Sequence, residues 1–140
     1  MSKIIFNFSE LSQSNQSAIN VGKSIIALYD NKHLAISIST KTILICNREV
    51  EPLNSSKIVQ LEFDETISIF KWITEDYLLI GFDDGLLILI NVKEEEKIFE
   101  YQGQNNTVQA LHIIGGMVWI LYKSGYVVNV RVCSLSISCL

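Results

Sequence analysis

The tripeptide Gly22-Lys23-Ser24 matches the last residues of a loop that binds nucleotide phosphates through backbone N–H groups. The full motif needs another glycine about five residues before its second glycine, and that position is Ser17. It also needs a following helix, because the helix N-terminus attracts the anion. The apolar residues after Ser24 favour a strand, so we predict a turn before a strand and no phosphate site.

Asp83 and Asp84 are adjacent carboxylates, which could hold a cation or act as an acid/base pair. Adjacent side chains on a strand point to opposite faces, and a calcium loop needs several further oxygen ligands at fixed spacing. The glycine that follows, Gly85, makes this an Asp-Gly pattern, which is typical of a hairpin turn. We therefore predict a turn here rather than a metal or catalytic site.

The other reactive residues also lack a spacing that catalysis or metal binding requires. His33 and His112 are the two histidines, and neither has a cysteine or carboxylate at a zinc-ligand spacing. Cys46 ends an apolar run and is expected to be a small buried hydrophobe. The sequence predicts no catalytic residue, no metal and no cofactor, so an enzyme is the least favoured class.

Length and charge exclude several functions. The chain has 140 residues, with 11 Lys and Arg against 15 Asp and Glu and a net charge of −4. This length fits one domain, and scattered basic residues in an acidic chain disfavour nucleic-acid binding. No segment has the length and apolarity of a signal peptide or the roughly 18 apolar residues of a membrane span. We expect a cytoplasmic protein whose cysteines are free thiols.

Apolar residues from about Val21 to Val132 recur mostly in steps of two, which is the periodicity of half-buried β-strands. Three hairpins of equal length recur at residues 33–46, 77–90 and 117–130, at offsets of 44 and 40 residues. Each hairpin follows another strand-like run, and the first two also precede one. Four strands per unit and a period of about 40–45 residues are typical of β-propeller blades.

We therefore predict an all-β fold, a partial β-propeller of about three four-stranded blades. The blades are expected at about residues 21–63, 64–103 and 104–132. Residues 1–20 are expected to be an irregular lead-in, and residues 133–140 a tail that holds a truncated last strand. The alternative is an antiparallel β-sandwich, which also has short strands separated by regular turns.

Three blades do not complete a propeller, because closed rings typically have about 4–8 blades. An open arc would expose apolar blade faces and unpaired strand edges to water. We therefore expect the chain to be part of a longer protein. A chain that is complete would have to cover these faces in a swapped dimer of about six blades, or else fold as a sandwich.

Four segments resemble the N-terminal domain of the non-catalytic, regulatory subunit of the Rab GTPase-activating protein complex. Residues 24–46 resemble that family's opening strand pair, and residues 66–73 resemble the strand before its next hairpin. Residues 77–91 (YLLIGFDDGLLILIN) resemble its stretch with Val-Gly-Phe and a glycine-containing turn. Residues 108–130 resemble a later segment in which an Ile-Leu-Tyr triplet, here Ile120-Leu121-Tyr122, precedes a β-branched run.

This resemblance implies a divergent WD-repeat-like propeller that acts as a scaffold in Rab-dependent membrane traffic. The implied partners are a catalytic GTPase-activating subunit, which supplies the chemistry, and a Rab-type GTPase. The family's acidic, tryptophan-rich lead-in and its regions beyond the first part of the propeller have no counterpart in this sequence. The alternative function is a small stand-alone β domain that binds a ligand or self-associates and is unrelated to GTPases.

Exposed aromatic and arginine side chains carry much of the binding energy of protein interfaces. The residues of these types that we select as candidate partner contacts are Tyr101, Trp119, Tyr126 and Arg131. For Trp119 we expect a core position instead, because its neighbours Val118 and Ile120 make that strand apolar on both faces.

Overall fold

The computed structural model describes residues 25–30, 32–47 and 57–132. These residues contain strands and turns and no helix, so no helix of this part of the chain could span a membrane. The strands are β1 (Ile26–Tyr29), β2 (His33–Ser39), β3 (Thr42–Asn47), β4 (Lys57–Glu62), β5 (Ile67–Trp72), β6 (Tyr77–Phe82), β7 (Leu86–Asn91), β8 (Glu96–Gln102), β9 (Val108–Ile114), β10 (Met117–Tyr122) and β11 (Val127–Arg131). The predicted lead-in, the tail and the tripeptide Gly22-Lys23-Ser24 lie outside the described residues.

The strands form three antiparallel sheets in which each strand pairs with the next one along the chain. The orders are β1-β2-β3-β4, β5-β6-β7-β8 and β9-β10-β11. The all-β prediction is confirmed, and the three recurring hairpins are β2–β3, β6–β7 and β10–β11. The chain forms two compact units, of which unit 1 contains β1–β4 and unit 2 contains β5–β11.

The connection between β6 and β7 is a tight turn at Asp83, Asp84 and Gly85, as predicted. A carboxylate oxygen of Asp84 accepts a hydrogen bond from the backbone N–H of Leu86 at 3.0 Å. Gly85 has a φ of +96°, which glycine adopts without strain, and a Cβ there would collide with the backbone oxygen of Gln104. The Asp84 carboxylate therefore stabilises the turn.

The core of unit 1 lies on its two middle strands. Alternate residues of β2 and β3 form one buried cluster: Leu34, Ile36, Ile38, Leu44 and Cys46. Residues that point to the other face of the same strands, such as Ala35 and Ile43, are also fully buried. A near-continuous apolar run such as that of β3 is typical of a strand covered on both faces.

Unit 2 consists of two sheets that pack face to face. The β5–β8 sheet contributes Leu79, Leu87 and Leu89, all at 0% exposure. The β9–β11 sheet contributes five buried apolar residues: Val108, Leu111, Val118, Ile120 and Tyr122. The sheets approach closely at Gly81, where a Cβ would lie 2.7 Å from Cγ1 of Val108. Only a residue without a side chain fits at that position.

Tyr122 is the largest fully buried side chain, and its hydroxyl links the two sheets of unit 2. The hydroxyl accepts a hydrogen bond from the N–H of Gly103 at 3.1 Å and donates one to the carbonyl of Gly85 at 3.4 Å. Burial raises the pKa of this hydroxyl above its ordinary value, although the bond from Gly103 opposes the shift. A neutral, hydrogen-bonded hydroxyl therefore completes an otherwise apolar contact.

We expect Tyr122→Phe to lower the free energy of unfolding by about 1 kcal/mol, because it removes one hydrogen-bond partner from each of two backbone groups. Tyr126→Phe is the matched control at an exposed tyrosine, and it should change stability by less than about 0.5 kcal/mol. Urea titrations followed by circular dichroism measure both values. An equal effect of the two substitutions would show that the Tyr122 hydroxyl does not stabilise the contact between the sheets.

Candidate interaction surface

His33 begins β2, and its Nδ1 lies 3.1 Å from a carboxylate oxygen of Asp30. We did not predict this pair from the sequence, because we searched only for the spacing of zinc ligands. The pair forms in the turn after β1, where Asp30 adopts a positive φ of 45°. His112 lies on β9, in unit 2, with an exposed side chain. The two histidines therefore belong to different sheets, and His33 has a carboxylate partner close to it in sequence.

Cys46 lies near the end of β3 and is buried in the core of unit 1. Burial raises the pKa of its thiol from 9.0 to about 11, because a thiolate is poorly solvated there. The thiol is therefore protonated at neutral pH and is a weak nucleophile. The prediction that Cys46 is a small buried hydrophobe is confirmed.

The β9–β11 sheet has a second face, opposite to the face that packs on the β5–β8 sheet. The antiparallel register and the alternation of side chains place on it Ala110, His112, Ile114, Met117, Trp119, Leu121, Val127, Asn129 and Arg131. We call this surface the outer face. None of these side chains is buried, and none of them belongs to the core that the two sheets of unit 2 form.

The outer face exposes large apolar side chains next to polar ones. Ile114 is 57% exposed, Val127 is 53% exposed and Trp119 is 41% exposed. Exposed apolar residues that cluster on one sheet face mark an interaction surface more strongly than scattered ones do. Tryptophan, methionine and arginine are also enriched at protein interfaces, so the composition of the outer face is that of a partner-binding surface.

The expectation that Trp119 is a core residue is wrong. Val118 and Ile120 point toward the β5–β8 sheet and are buried, whereas Trp119 points to the outer face. The strand is apolar on both sides, as the sequence indicated, but only one side has a sheet packed against it within unit 2. The same observation supports the choice of Trp119 as a candidate contact.

The four candidate contacts do not form a single cluster. Arg131 pairs with Met117 and is therefore a diagonal neighbour of Trp119 on the outer face. Tyr126 precedes β11 and is 52% exposed, whereas Tyr101 lies on β8 and packs against the core of unit 2. Trp119 and Arg131 are thus brought together, and Tyr101 is not part of the same face.

Ile114 and Val127 are members of the outer face that our sequence reasoning missed. Both are aliphatic residues, which in a strand are expected to be buried. The register of the third hairpin could have identified Val127. Val127 pairs with Leu121, and Leu121 lies two residues after Trp119 on the same face of β10.

Charge is distributed unevenly along the chain. All 15 Asp and Glu residues lie at or before Glu100, and no carboxylate side chain follows it. The charged residues beyond Glu100 are Lys123 and Arg131, in addition to the titratable His112. The β9–β11 sheet is therefore free of acidic side chains in a protein whose net charge is −4.

Known structures show which architecture these sheets belong to. A chain in the crystal structure of a mitotic checkpoint complex has a TM-score of 0.65 and 17% identity, over 75% of this chain and 32% of that one. The β-propeller domain of Cps50 (Swd1) from Myceliophteria thermophila has a TM-score of 0.63 and 14% identity, over 81% of this chain and 42% of that one. The computationally designed Ika4 protein has a TM-score of 0.50 and 11% identity, over 78% of this chain and 90% of that one.

No protein-family model matches the sequence, and no curated protein matches it. The structural likeness concerns the fold alone, since all three identities are low. This chain spans about a third of the matched chain in the checkpoint complex and about two fifths of the Cps50 propeller chain. Together with the three antiparallel sheets, the likeness confirms a partial β-propeller fold over the sandwich alternative.

We expect Cys46 to react with a thiol reagent at pH 8 about 100-fold more slowly in the folded chain than in urea. The reason is that a rise of about two units in the pKa of the thiol lowers the fraction of reactive thiolate about 100-fold. Cys133 and Cys139 are replaced by serine, so that only Cys46 is measured. Since folding raises the pKa, the unfolded chain loses this proton first, and stability should fall as pH rises above about 9. Equal labelling rates in the folded and unfolded chains would contradict the burial of this thiol.

Proposed function

We propose that this chain is a non-enzymatic propeller scaffold that binds protein partners, and that it belongs to a regulatory subunit controlling Rab-type GTPases in membrane traffic. The observation that carries the proposal is the outer face, an exposed sheet surface that contains both Trp119 and Arg131. In this proposal residues 21–132 are the propeller-like part, with blades at about 21–63, 64–103 and 104–132, and the protein is cytoplasmic.

The interaction role is supported by the way the outer face is built. Its side chains stand on three paired strands rather than on loops, so their positions are held by backbone hydrogen bonds. The opposite side of the same sheet is anchored by fully buried residues such as Val118 and Tyr122. A rigid surface loses little conformational entropy when a partner binds, which suits a scaffold.

The Rab-specific part of the proposal is supported by the sequence resemblance of residues 24–46, 66–73, 77–91 and 108–130 to the regulatory subunit. In this scheme the catalytic subunit supplies the arginine that stabilises the transition state of GTP hydrolysis. This chain positions that subunit and contributes no catalytic residue. Its contribution is binding energy, which orients the subunit relative to the GTPase.

Trp119→Ala is expected to weaken capture of the catalytic subunit of a Rab GTPase-activating complex. Truncation of an interface tryptophan costs about 2 kcal/mol or more, which is roughly a 30-fold increase in Kd. Ile58→Ala is the matched control, because Ile58 is a similarly exposed apolar residue on β4 in unit 1. Binding of the purified catalytic subunit to the immobilised chain, measured by biolayer interferometry, gives the Kd of each variant.

Two outcomes would contradict this proposal in different ways. Failure of the unmodified chain to bind the catalytic subunit would overturn the Rab-specific function. Binding that is weakened equally by Trp119→Ala and Ile58→Ala, or by neither, would overturn the assignment of the outer face as the contact surface. Thermal unfolding of all three proteins shows whether the substitutions leave the fold intact.

A further inference from the structure

The side chains of the outer face form a regular array, which follows from the strand register. The middle strand of the sheet is β10, and each of the three strands contributes three side chains to the face. Trp119 pairs with His112 on one side and with Asn129 on the other, so it lies at the centre of the nine. Its neighbours along β10 on this face are Met117 and Leu121. The middle strand therefore contributes only apolar side chains.

The polar side chains of the outer face lie on the two flanking strands. They are His112 on β9, and Asn129 and Arg131 on β11, and all three are exposed. No carboxylate lies on the β9–β11 sheet. An apolar centre with a polar rim is the usual construction of a protein interface, and a tryptophan at the centre contributes most to binding.

The pattern of the outer face repeats that of a face which another sheet of this protein covers. With the offset of 40 residues between the second and third hairpins, Trp119 and Val127 are the equivalents of Leu79 and Leu87. The two leucines are fully buried because the β9–β11 sheet packs against them. In this protein, therefore, apolar side chains at these strand positions pack against an antiparallel sheet, and a sheet is the kind of surface that fits the outer face.

The outer face is also complementary to itself. A two-fold axis through the centre of the contact, parallel or perpendicular to β10, brings the apolar side chains of β10 from two copies together. Arg131 of one copy then lies opposite Ile114 or Val127 of the second copy, and not opposite its own counterpart. The arginines remain at the rim, where water solvates them, and no carboxylate enters the contact. A second copy thus covers the apolar centre without burying a charge.

We propose that the outer face binds the outer face of a second copy of this chain, with the two Trp119 side chains at the centre of the contact. Both copies use the same surface, so the contact is closed and association stops at two. This inference rests on the proposed function and deepens it by naming how the site is regulated. A chain in the dimer does not present Trp119 to the catalytic subunit, so the two partners compete and the dimer is the reserve form.

Sedimentation velocity of the full chain over a dilution series tests the association. We expect the sedimenting mass to fall from that of two copies to that of one as the chain is diluted. Trp119→Ala should raise the Kd of the dimer at least about 30-fold, because both copies lose an interface tryptophan. Ile58→Ala is the matched control, at a similarly exposed apolar residue on β4, and it should leave the Kd unchanged within about twofold.

Tryptophan fluorescence locates the contact. The chain has two tryptophans, and Trp72 is buried within the folded chain whereas Trp119 is 41% exposed. Dissociation of the dimer should therefore change the surroundings of Trp119 alone. We expect the emission maximum to move to longer wavelength on dilution, and we expect Trp119→Phe to abolish that movement.

Four outcomes would overturn the inference. They are the mass of one copy at every concentration, assemblies larger than two copies, and an association that Trp119→Ala does not weaken more than Ile58→Ala does. The fourth is a Trp119 emission that is already that of a buried tryptophan in the dilute chain, which would mean that another segment of the same chain covers the outer face.

The catalytic subunit separates failure of this inference from failure of the proposed function. If the chain stays as one copy and binds the catalytic subunit in a Trp119-dependent manner, the dimer inference fails and the proposed function stands. If the chain dimerises through Trp119 and does not bind the catalytic subunit, the Rab-specific function alone fails. If the catalytic subunit binds the dimer without dissociating it, the proposed competition at the outer face is overturned.

Discussion

The packing of the β5–β8 sheet against the β9–β11 sheet is the contact on which unit 2 depends. Leu79, Leu87 and Leu89 are fully buried by it, and each such side chain contributes about 1.5–3 kcal/mol relative to an exposed position. The short distance between Gly81 and Val108 sets how closely the sheets approach. The Tyr122 hydroxyl, on β10, forms hydrogen bonds with the backbone of Gly103 and Gly85. An apolar side chain in its place would leave these two backbone groups without that partner.

The same repeat that builds this contact also creates the outer face. Trp119 occupies the repeat position of Leu79, and Val127 occupies that of Leu87, 40 residues earlier. The leucines are enclosed because a sheet packs against them, whereas Trp119 and Val127 are exposed. One strand pattern therefore serves as core in one sheet and as a surface in the next. The exposed surface, rather than any titratable pair, is the feature on which the proposed interaction function rests.

Most of the secondary structure could be predicted from the sequence. Alternating apolar residues located the three hairpins within one or two residues of β2–β3, β6–β7 and β10–β11, because a pleated strand directs successive side chains to opposite faces. Asp84 and Gly85 marked a turn for local reasons, namely a side-chain hydrogen bond and a positive φ. The Asp30–His33 pair was not predicted, since it depends on the turn conformation that brings the two side chains together.

The sequence by itself determined the strands, the turns and the repeat, because these depend on neighbouring residues and on the two-residue period of a strand. Only the tertiary structure decided which apolar face is covered. A strand that is apolar on both sides, such as β10, carries no information about what lies opposite each side. The burial of Val118 and the exposure of Trp119 therefore follow from the position of the β5–β8 sheet, which packs against one side of β10 and not against the other.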